Sequence, residues 1–362
     1  MKRSEKVDFL IVGQGLAGSV LALQLYRAGK RVVILGKKEN HSSRIAAGLF
    51  NPVTGKNLSK TWMANEVFAQ LHSFYAEAEH LIKASFFHPF PIYRPFLSIE
   101  EQNEWMGKSA SPEWAPFIKK VFGGSTHWSG VNDPLGGLLL QQTGFVDTNS
   151  FLDAVKNFFQ QQDCYACETF DHAALRLFEN EIVYKSWSAE KIIFCEGTES
   201  LNNPLFNWIP IRPLKGETLT IEAPLPEDAI INRGVYAVGQ ADRTYKIGAT
   251  YEPKDLSPTI TEKGRAELEE KFSEIFLLPY TVVGQAWGYR PTSPDRRPII
   301  GEHPVQKNVL VFNGLGTKGV SLAPFAGHLL SEFLLNGIRS GTYAAVDVNR
   351  YNSLYWKAVQ NT

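Results

Sequence analysis

Cysteine is scarce in this chain, with three residues in 362: Cys164, Cys167 and Cys195. A number so low and odd excludes a disulfide framework and points to a reducing compartment. An excess of charge of either sign is also missing. Thirty-seven Lys and Arg balance 37 Asp and Glu, so the net charge is zero and the pI is near 7.1. With no net charge to favour a polyanion, nucleic acid is disfavoured as a partner. Long apolar runs are absent too. Met1-Lys2-Arg3 before an apolar stretch imitates a secretory signal, but Glu5, Asp8, Gln14 and three glycines interrupt it. A spanning helix needs about 20 apolar residues, so no membrane span is expected and the location is read as cytoplasmic. Several chemistries lack their residues. Cys164-x-x-Cys167 has no second pair and no nearby histidine for zinc, and its expected role is strand packing. His88, His127 and His303 are scattered, and neither a serine nucleophile elbow nor a P-loop occurs.

What the chain does contain is material for a large core, with 44 % hydrophobic and 12 % aromatic residues. Its length suits two or three domains of roughly 100–200 residues each. Val7-Asp8-Phe9-Leu10-Ile11-Val12 reads as a strand buried on both faces of a parallel sheet. Gly13-Gln14-Gly15-Leu16-Ala17-Gly18 follows directly, then an apolar helix ending at Gly29, then a second strand at Arg31–Leu35. A G-x-G-x-x-G run is weak alone, but between strand and helix in one βαβ unit it is specific. The first glycine allows the turn, the second lets backbone approach a pyrophosphate, and the third lets helix and strand pack closely. The bland alternative, a glycine turn without a ligand, does not call for this whole context. One feature departs from the pattern. The acid expected after the second strand, to hold the adenosine ribose, is replaced by Gly36, followed by Lys37, Lys38 and Glu39. Either Glu39 reaches the ribose or the lysines take a phosphate.

Further along, apolar spacing predicts helices at about 61–83 and at Thr148–Gln160, a charged helix at about Glu262–Phe276 and a last one at about Val320–Leu335. Strands are expected at Glu181–Tyr184, Lys191–Cys195, Thr218–Ile221, Tyr245–Ile247 and Val309–Phe312. The stretch from Phe86 to about Gly144 reads as irregular with short strands, and Trp105, Trp114 and Trp128 in it as core. No repeat or low-complexity linker separates two halves, so the domains are expected to interweave.

Four separated segments then carry a resemblance: Gly13 to Gly18, Ser42 to Leu49, Gly288-Tyr289-Arg290-Pro291 with Pro294 to Gly301, and Gly314 to Pro324. Their order resembles the FAD-dependent amine and amino-acid oxidases of the D-amino-acid oxidase superfamily, with glycine oxidase and the oxidase domain of a tRNA wobble-uridine enzyme as the nearest types. The resemblance implies a mixed α/β architecture, a Rossmann-like FAD domain interwoven with a second domain built on a large antiparallel sheet. The FAD domain would comprise 1–85, 145–212 and 286–362, and the substrate domain 86–144 and 213–285. It implies non-covalent FAD, with Gly13, Gly15, Leu16, Ala17 and Gly18 at the pyrophosphate and Lys37 beyond the second strand. Ser43, Arg44, Ala46, Ala47 and Gly48 would pass the pyrophosphate and flavin. Gly197, Gly288, Gly314, Gly316, Thr317, Lys318 and Gly319 would border the cofactor, the last turn placing a helix N-terminus where reduced flavin is negative.

For the substrate, the resemblance assigns Arg290 as a carboxylate clamp, with Lys318, Tyr236 and Tyr251 beside the reacting centre. A guanidinium fork matches a carboxylate bidentately. A structural pair of Arg290 with Asp295 is the alternative, as a solvated helix-start lysine is for Lys318. The implied reaction is oxidation of the C–N bond of a small amino acid or N-substituted glycine to an imine, by hydride transfer to flavin N5, with oxygen or another acceptor taking the electrons. Competing readings are an oxidase of carboxymethylaminomethyl-uridine in tRNA, a flavoprotein subunit of an amine dehydrogenase, and a nicotinamide-dependent dehydrogenase. Zero net charge weighs against the first. Only the first βαβ unit argues for the last.

Overall fold

The computed structural model describes residues 5–37, 41–55, 58–226, 228–240 and 243–360. The first sheet has eight strands; three short antiparallel ones, Leu175–Leu177, Ile182–Tyr184 and Ile299–Glu302, extend five parallel strands in the spatial order Tyr165–Cys167, Val32–Gly36, Glu5–Val12, Trp187–Phe194 and Val309–Asn313. In chain order this is 3-2-1-4-5, the doubly wound arrangement. Its direction reverses between Glu5–Val12 and Trp187–Phe194, leaving a crevice beyond their C-terminal tips. Val32–Gly36 and Val309–Asn313 are buried along their whole length, as strands covered on both faces must be.

The first helix, Leu16–Arg27, is apolar on nearly every side because it lies between this sheet and the last helix, Gly319–Asn336. Gly327 of the last helix makes the close crossing possible, since a Cβ there would stand 3.4 Å from Val20 and would overlap the Gln24 amide. That amide instead donates from Nε2 to the carbonyl of Pro324 (2.9 Å), while the carbonyl that the proline leaves without a helical donor, that of Val320, accepts from the Tyr75 hydroxyl (3.1 Å).

The second sheet has eight strands, in the order Thr281–Thr292, Arg212–Glu222, Tyr245–Gly248, Val235–Gly239, Ile230–Arg233, Ile92–Pro95, Gly137–Leu140 and Ile118–Phe122. All neighbours are antiparallel except Ile230–Arg233 with Ile92–Pro95. Helix Glu262–Ile275 covers one face, setting Leu268, Phe272 and Ile275 against Leu219, Ile221 and Ile247. No helix among the described residues is long and apolar enough to cross a membrane.

Two elements differ from expectation. The stretch after Phe86 contains a ten-residue helix, Ile99–Lys108, capped by Ser98, whose hydroxyl accepts from the Glu101 N–H (3.2 Å), while the Glu101 carboxylate accepts from the Leu97 N–H (3.0 Å). Only Trp105 of it is buried, so it leaves little apolar periodicity. The third parallel strand, Tyr165–Cys167, is three residues long and partly exposed, and carries no strand pattern either. The tryptophans do serve the core, in two places: Trp105 meets Trp114 edge-on at 4.9 Å, while Trp128 meets Tyr93 at 4.9 Å in a separate cluster.

An aromatic cluster of the first domain surrounds Phe151, fully buried on helix Thr148–Gln160 and edge-on to Tyr75 (5.6 Å) and Phe86 (5.0 Å). Phe151→Ala should therefore lose about 3–5 kcal/mol of stability. Denaturant unfolding checks this; a midpoint shift equivalent to less than 1 kcal/mol would show that the cluster collapses without cost.

Candidate active site

A cavity of about 690 Å³ runs from the strand tips of the first sheet to the face of the second. It starts at the glycine turn. Gly13 takes φ +101°, and a Cβ there would overlap the Cys195 carbonyl, because the Cys195 N–H donates to the Val12 carbonyl (2.7 Å) and locks the two strand tips together. Gly15 caps the first helix without a side chain and lines the cavity with Leu16 and Ala17. Gly18 does not reach it; a Cβ at that position would overlap the Gly13 carbonyl, so its part is close packing under the turn. A side-chain-free turn at a helix N-terminus suits a diphosphate.

At one end the cavity reaches the second strand. A Cβ on Gly36 would overlap the Tyr165 hydroxyl and stand 2.9 Å from Gln14 Cβ. No acid can replace that glycine without moving both. Lys37 lines the cavity but faces Glu199 at 3.7 Å, and Lys38 and Glu39 lie outside the described residues. Sequence reasoning missed the rest of this end, formed by Glu168 to Phe170, His172 and the turn from Glu196 to Asn202. The only signal for it was Gly197 after a strand. Glu196 has an 11 % exposed side chain; Oε2 accepts from Asn203 Nδ2 (2.7 Å), and burial pushes its carboxyl up to about 7. His172 Nε2 is 4.0 Å from Oε1, and burial lowers that imidazole, which favours its neutral form.

Toward the second sheet, Ser43, Ala46, Ala47 and Gly48 line the wall. Gly48 has φ +72° and lies so close to the Val146 carbonyl that a Cβ would overlap it. Arg44 turns away and pairs with Asp153 (2.6 Å). Gly197, Gly288, Gly316, Thr317 and Gly319 line the cavity, the last at the start of an 18-residue helix. Gly314 does not; it serves the turn before them, with φ +72°. Lys318 fits neither expectation. Its Nζ donates to Thr61 Oγ1 (2.9 Å) outside the cavity wall, and burial, reinforced by Arg296, lowers it to about 8.

Arg290 is on strand Thr281–Thr292, with its guanidinium over Gly216, where any Cβ would overlap it. The neighbouring strand explains the space. Strand side chains alternate, so Lys215 and Glu217 point to the far face while Gly216 and Thr218 face the cavity. Arg290 Nη1 donates to the Thr250 carbonyl (3.1 Å), and among the described residues no carboxylate lies within ion-pair distance. Asp295, the alternative partner, is held by Arg350 through Nε (3.0 Å) and Nη2 (3.3 Å). Tyr236 stands over Gly248 beside the guanidinium; burial pushes its phenol up to about 12 despite the nearby positive charge. Tyr251 is 60 % exposed and lines the cavity, whereas Trp287 and Tyr289 pair in register with Glu217 and Lys215 and so turn their rings to the far face.

A family profile described as "FAD dependent oxidoreductase" matches residues 8–333. D-amino acid dehydrogenase of Vibrio vulnificus is 32 % identical over 154 residues, 40 % of this chain and 36 % of the relative. The bifunctional protein ThiO/ThiG of Synechocystis sp. is 22 % identical over 363 residues, 91 % of this chain and 52 % of the relative. The chain thus spans about a third to a half of the length of these curated relatives. Among solved structures, glycine oxidase from Geobacillus kaustophilus superposes with a TM-score of 0.75 at 19 % identity, covering 93 % of this chain and 96 % of that one. Iminodiacetate oxidase from Chelativorans sp. gives 0.74 at 19 %, covering 92 % and 96 %. At such identities the likeness is one of fold.

The environment of Glu196 makes stability depend on pH. Burial pushes its carboxyl up to about 7 in the folded chain, well above the ordinary 4.5. The folded state therefore binds more protons between these values, and stability falls as pH rises through them. Glu196→Gln should remove this loss, so that in flavin-free protein its stability relative to wild type improves by about 1–3 kcal/mol from pH 4 to pH 8. Denaturant midpoints at both pH values test it; a constant difference would show an ordinary carboxyl.

Proposed function

The chain belongs to the FAD-dependent oxidoreductase family, and from that premise we propose that it oxidises the C–N bond of a small amino acid or N-substituted glycine to an imine. The cavity suits the cofactor: a bare glycine turn meets the diphosphate, Ala46 to Gly48 run along its length, and the Gly316–Gly319 turn presents a helix N-terminus at the far end. FAD, when bound, supplies the two-electron acceptor for a hydride from the substrate α-carbon and carries the negative charge that a helix N-terminus favours.

The chain's own contribution is orientation. Arg290 carries the reading, as a guanidinium that faces the cavity with a single backbone partner and, among the described residues, no carboxylate. Such a charge, half-buried, gains most from a ligand carboxylate that meets it bidentately. Tyr236 and Thr218 flank it and confine the substrate laterally, while Tyr251 closes the mouth. The amine reacts in its neutral form, its proton passing to solvent, so no dedicated side-chain base is required. Water then adds to the imine and releases the amine and a carbonyl product. Oxygen or another acceptor completes the cycle. Leu315-Gly316-Thr317 puts little bulk over this end, leaving room for a substituent on nitrogen or carbon. Lys318, bonded to Thr61, steadies that turn from behind.

Anaerobic addition of glycine, sarcosine, proline and D-amino acids to the purified flavoprotein should bleach the oxidised flavin absorbance with at least one of them. Arg290→Ala should lower kcat/KM for that substrate by roughly 30- to several-thousand-fold, corresponding to about 2–5 kcal/mol. Arg290→Lys should fall between, since it keeps the charge and loses the fork. Amines without a carboxylate should be little affected. Full activity in an Arg290→Ala protein that retains FAD would remove the carboxylate from the proposed substrate.

A further inference from the structure

A doubly wound dinucleotide sheet ordinarily supplies a carboxylate at the end of its second strand for the adenosine ribose. Here that position is Gly36, and the Tyr165 hydroxyl and Gln14 fill the space where its side chain would begin. Three carboxylates among the described residues line the cavity: Glu168, Glu196 and Glu199. Two have cationic partners. Glu168 Oε2 accepts from Lys185 Nζ (2.7 Å), and Glu199 Oε1 lies 3.7 Å from Lys37 Nζ. Glu196 is the most buried of the three, and the one hydrogen bond to its carboxylate comes from an amide, leaving Oε1 without a donor closer than a neutral imidazole 4.0 Å away.

Its place is equally specific. Glu196 follows directly on the residue whose N–H locks the two strand tips, and its Cα is 3.5 Å from where a Gly13 Cβ would be. It therefore stands on the cavity wall beside the turn that meets the diphosphate. The group attached to an adenosine diphosphate at that point is the ribose, whose hydroxyls are hydrogen-bond donors.

We propose that Glu196 holds the cofactor's adenosine by accepting a hydrogen bond from the ribose 2′-hydroxyl, moving this contact from the second parallel strand to the fourth. The assignment rests on the FAD reading. It also explains why a deeply placed carboxyl persists at a strand tip: in the complex, its free oxygen gains the donor that the protein alone does not provide.

Flavin-free protein at pH 8.5, where Glu196 is ionised, provides the test. Wild type should bind FAD by fluorescence quenching, and ADP should displace FAD about 10-fold better than 2′-deoxy-ADP. Glu196→Gln should weaken FAD binding about 10- to 100-fold and make the two competitors equal. Glu199→Gln, whose partner is Lys37, should keep the preference for ADP and thereby separates loss of one contact from general damage to the turn. A preference for ADP that survives in Glu196→Gln, or an FAD affinity within twofold of wild type, overturns the assignment. Wild-type protein that takes up no FAD would instead overturn the cofactor reading on which it rests.

Discussion

The hydrogen bond from the Cys195 N–H to the Val12 carbonyl holds together the point on which the site depends. It joins the tips of the first and fourth parallel strands, where the winding of the sheet reverses, and so fixes the crevice that opens there. Everything on the cofactor side is arranged around that joint. Gly13 is bare because the Cys195 carbonyl leaves it no room, Gly18 because Gly13 sits on it, and Glu196 faces the crevice because it follows the joint directly. An added methyl group at Gly13 would force the two strand tips apart, and one at Gly18 would force the helix from the strand.

The substrate side depends on a different constraint, the two-sided use of strand Arg212–Glu222. Its far face carries a charged network that would be costly if left incomplete. Lys215, 1 % exposed, meets Glu217 (3.7 Å), Asp255 (3.5 Å) and Ser257 (3.1 Å). Glu217 accepts from the Thr261 N–H and hydroxyl (2.9 and 2.7 Å) and from Gln285 Nε2 (2.7 Å). This ties the 252–261 segment and helix Glu262–Ile275 to the back of the sheet. The near face is left small at Gly216, and Arg290 uses that space. The site's one uncompensated guanidinium is thus supported by a network in which each charge has a partner.

Buried elements with strong periodicity announced themselves. Helix Thr148–Gln160 was legible residue for residue because five large apolar groups define one face, and the first βαβ unit because glycines fall where strand becomes helix. Helix Ile99–Lys108 was not, since its stability comes from a cap and from Glu101 gripping Arg233 (2.6 and 2.9 Å) 132 residues away. The surroundings of Lys318 were not legible for the same kind of reason. Its position in a glycine turn was plain, but the direction of its side chain depends on Thr61, which is distant in sequence.

Sequence alone determined the βαβ opening, the glycine turns, the absence of an acid at position 36 and the presence of an arginine in the Gly288-Tyr289-Arg290-Pro291 segment. These are local facts, readable because turn geometry and strand burial select residue types over short spans. Tertiary structure decided which groups share the cavity. Asp295, five residues from Arg290, belongs to Arg350, while Gly216, 74 residues away, is the surface on which the guanidinium lies. Likewise Glu196 and Gly36 are brought to one crevice by strands 160 residues apart. Partners of buried charges are chosen by strand register and sheet order, and those are settled only when the whole chain packs.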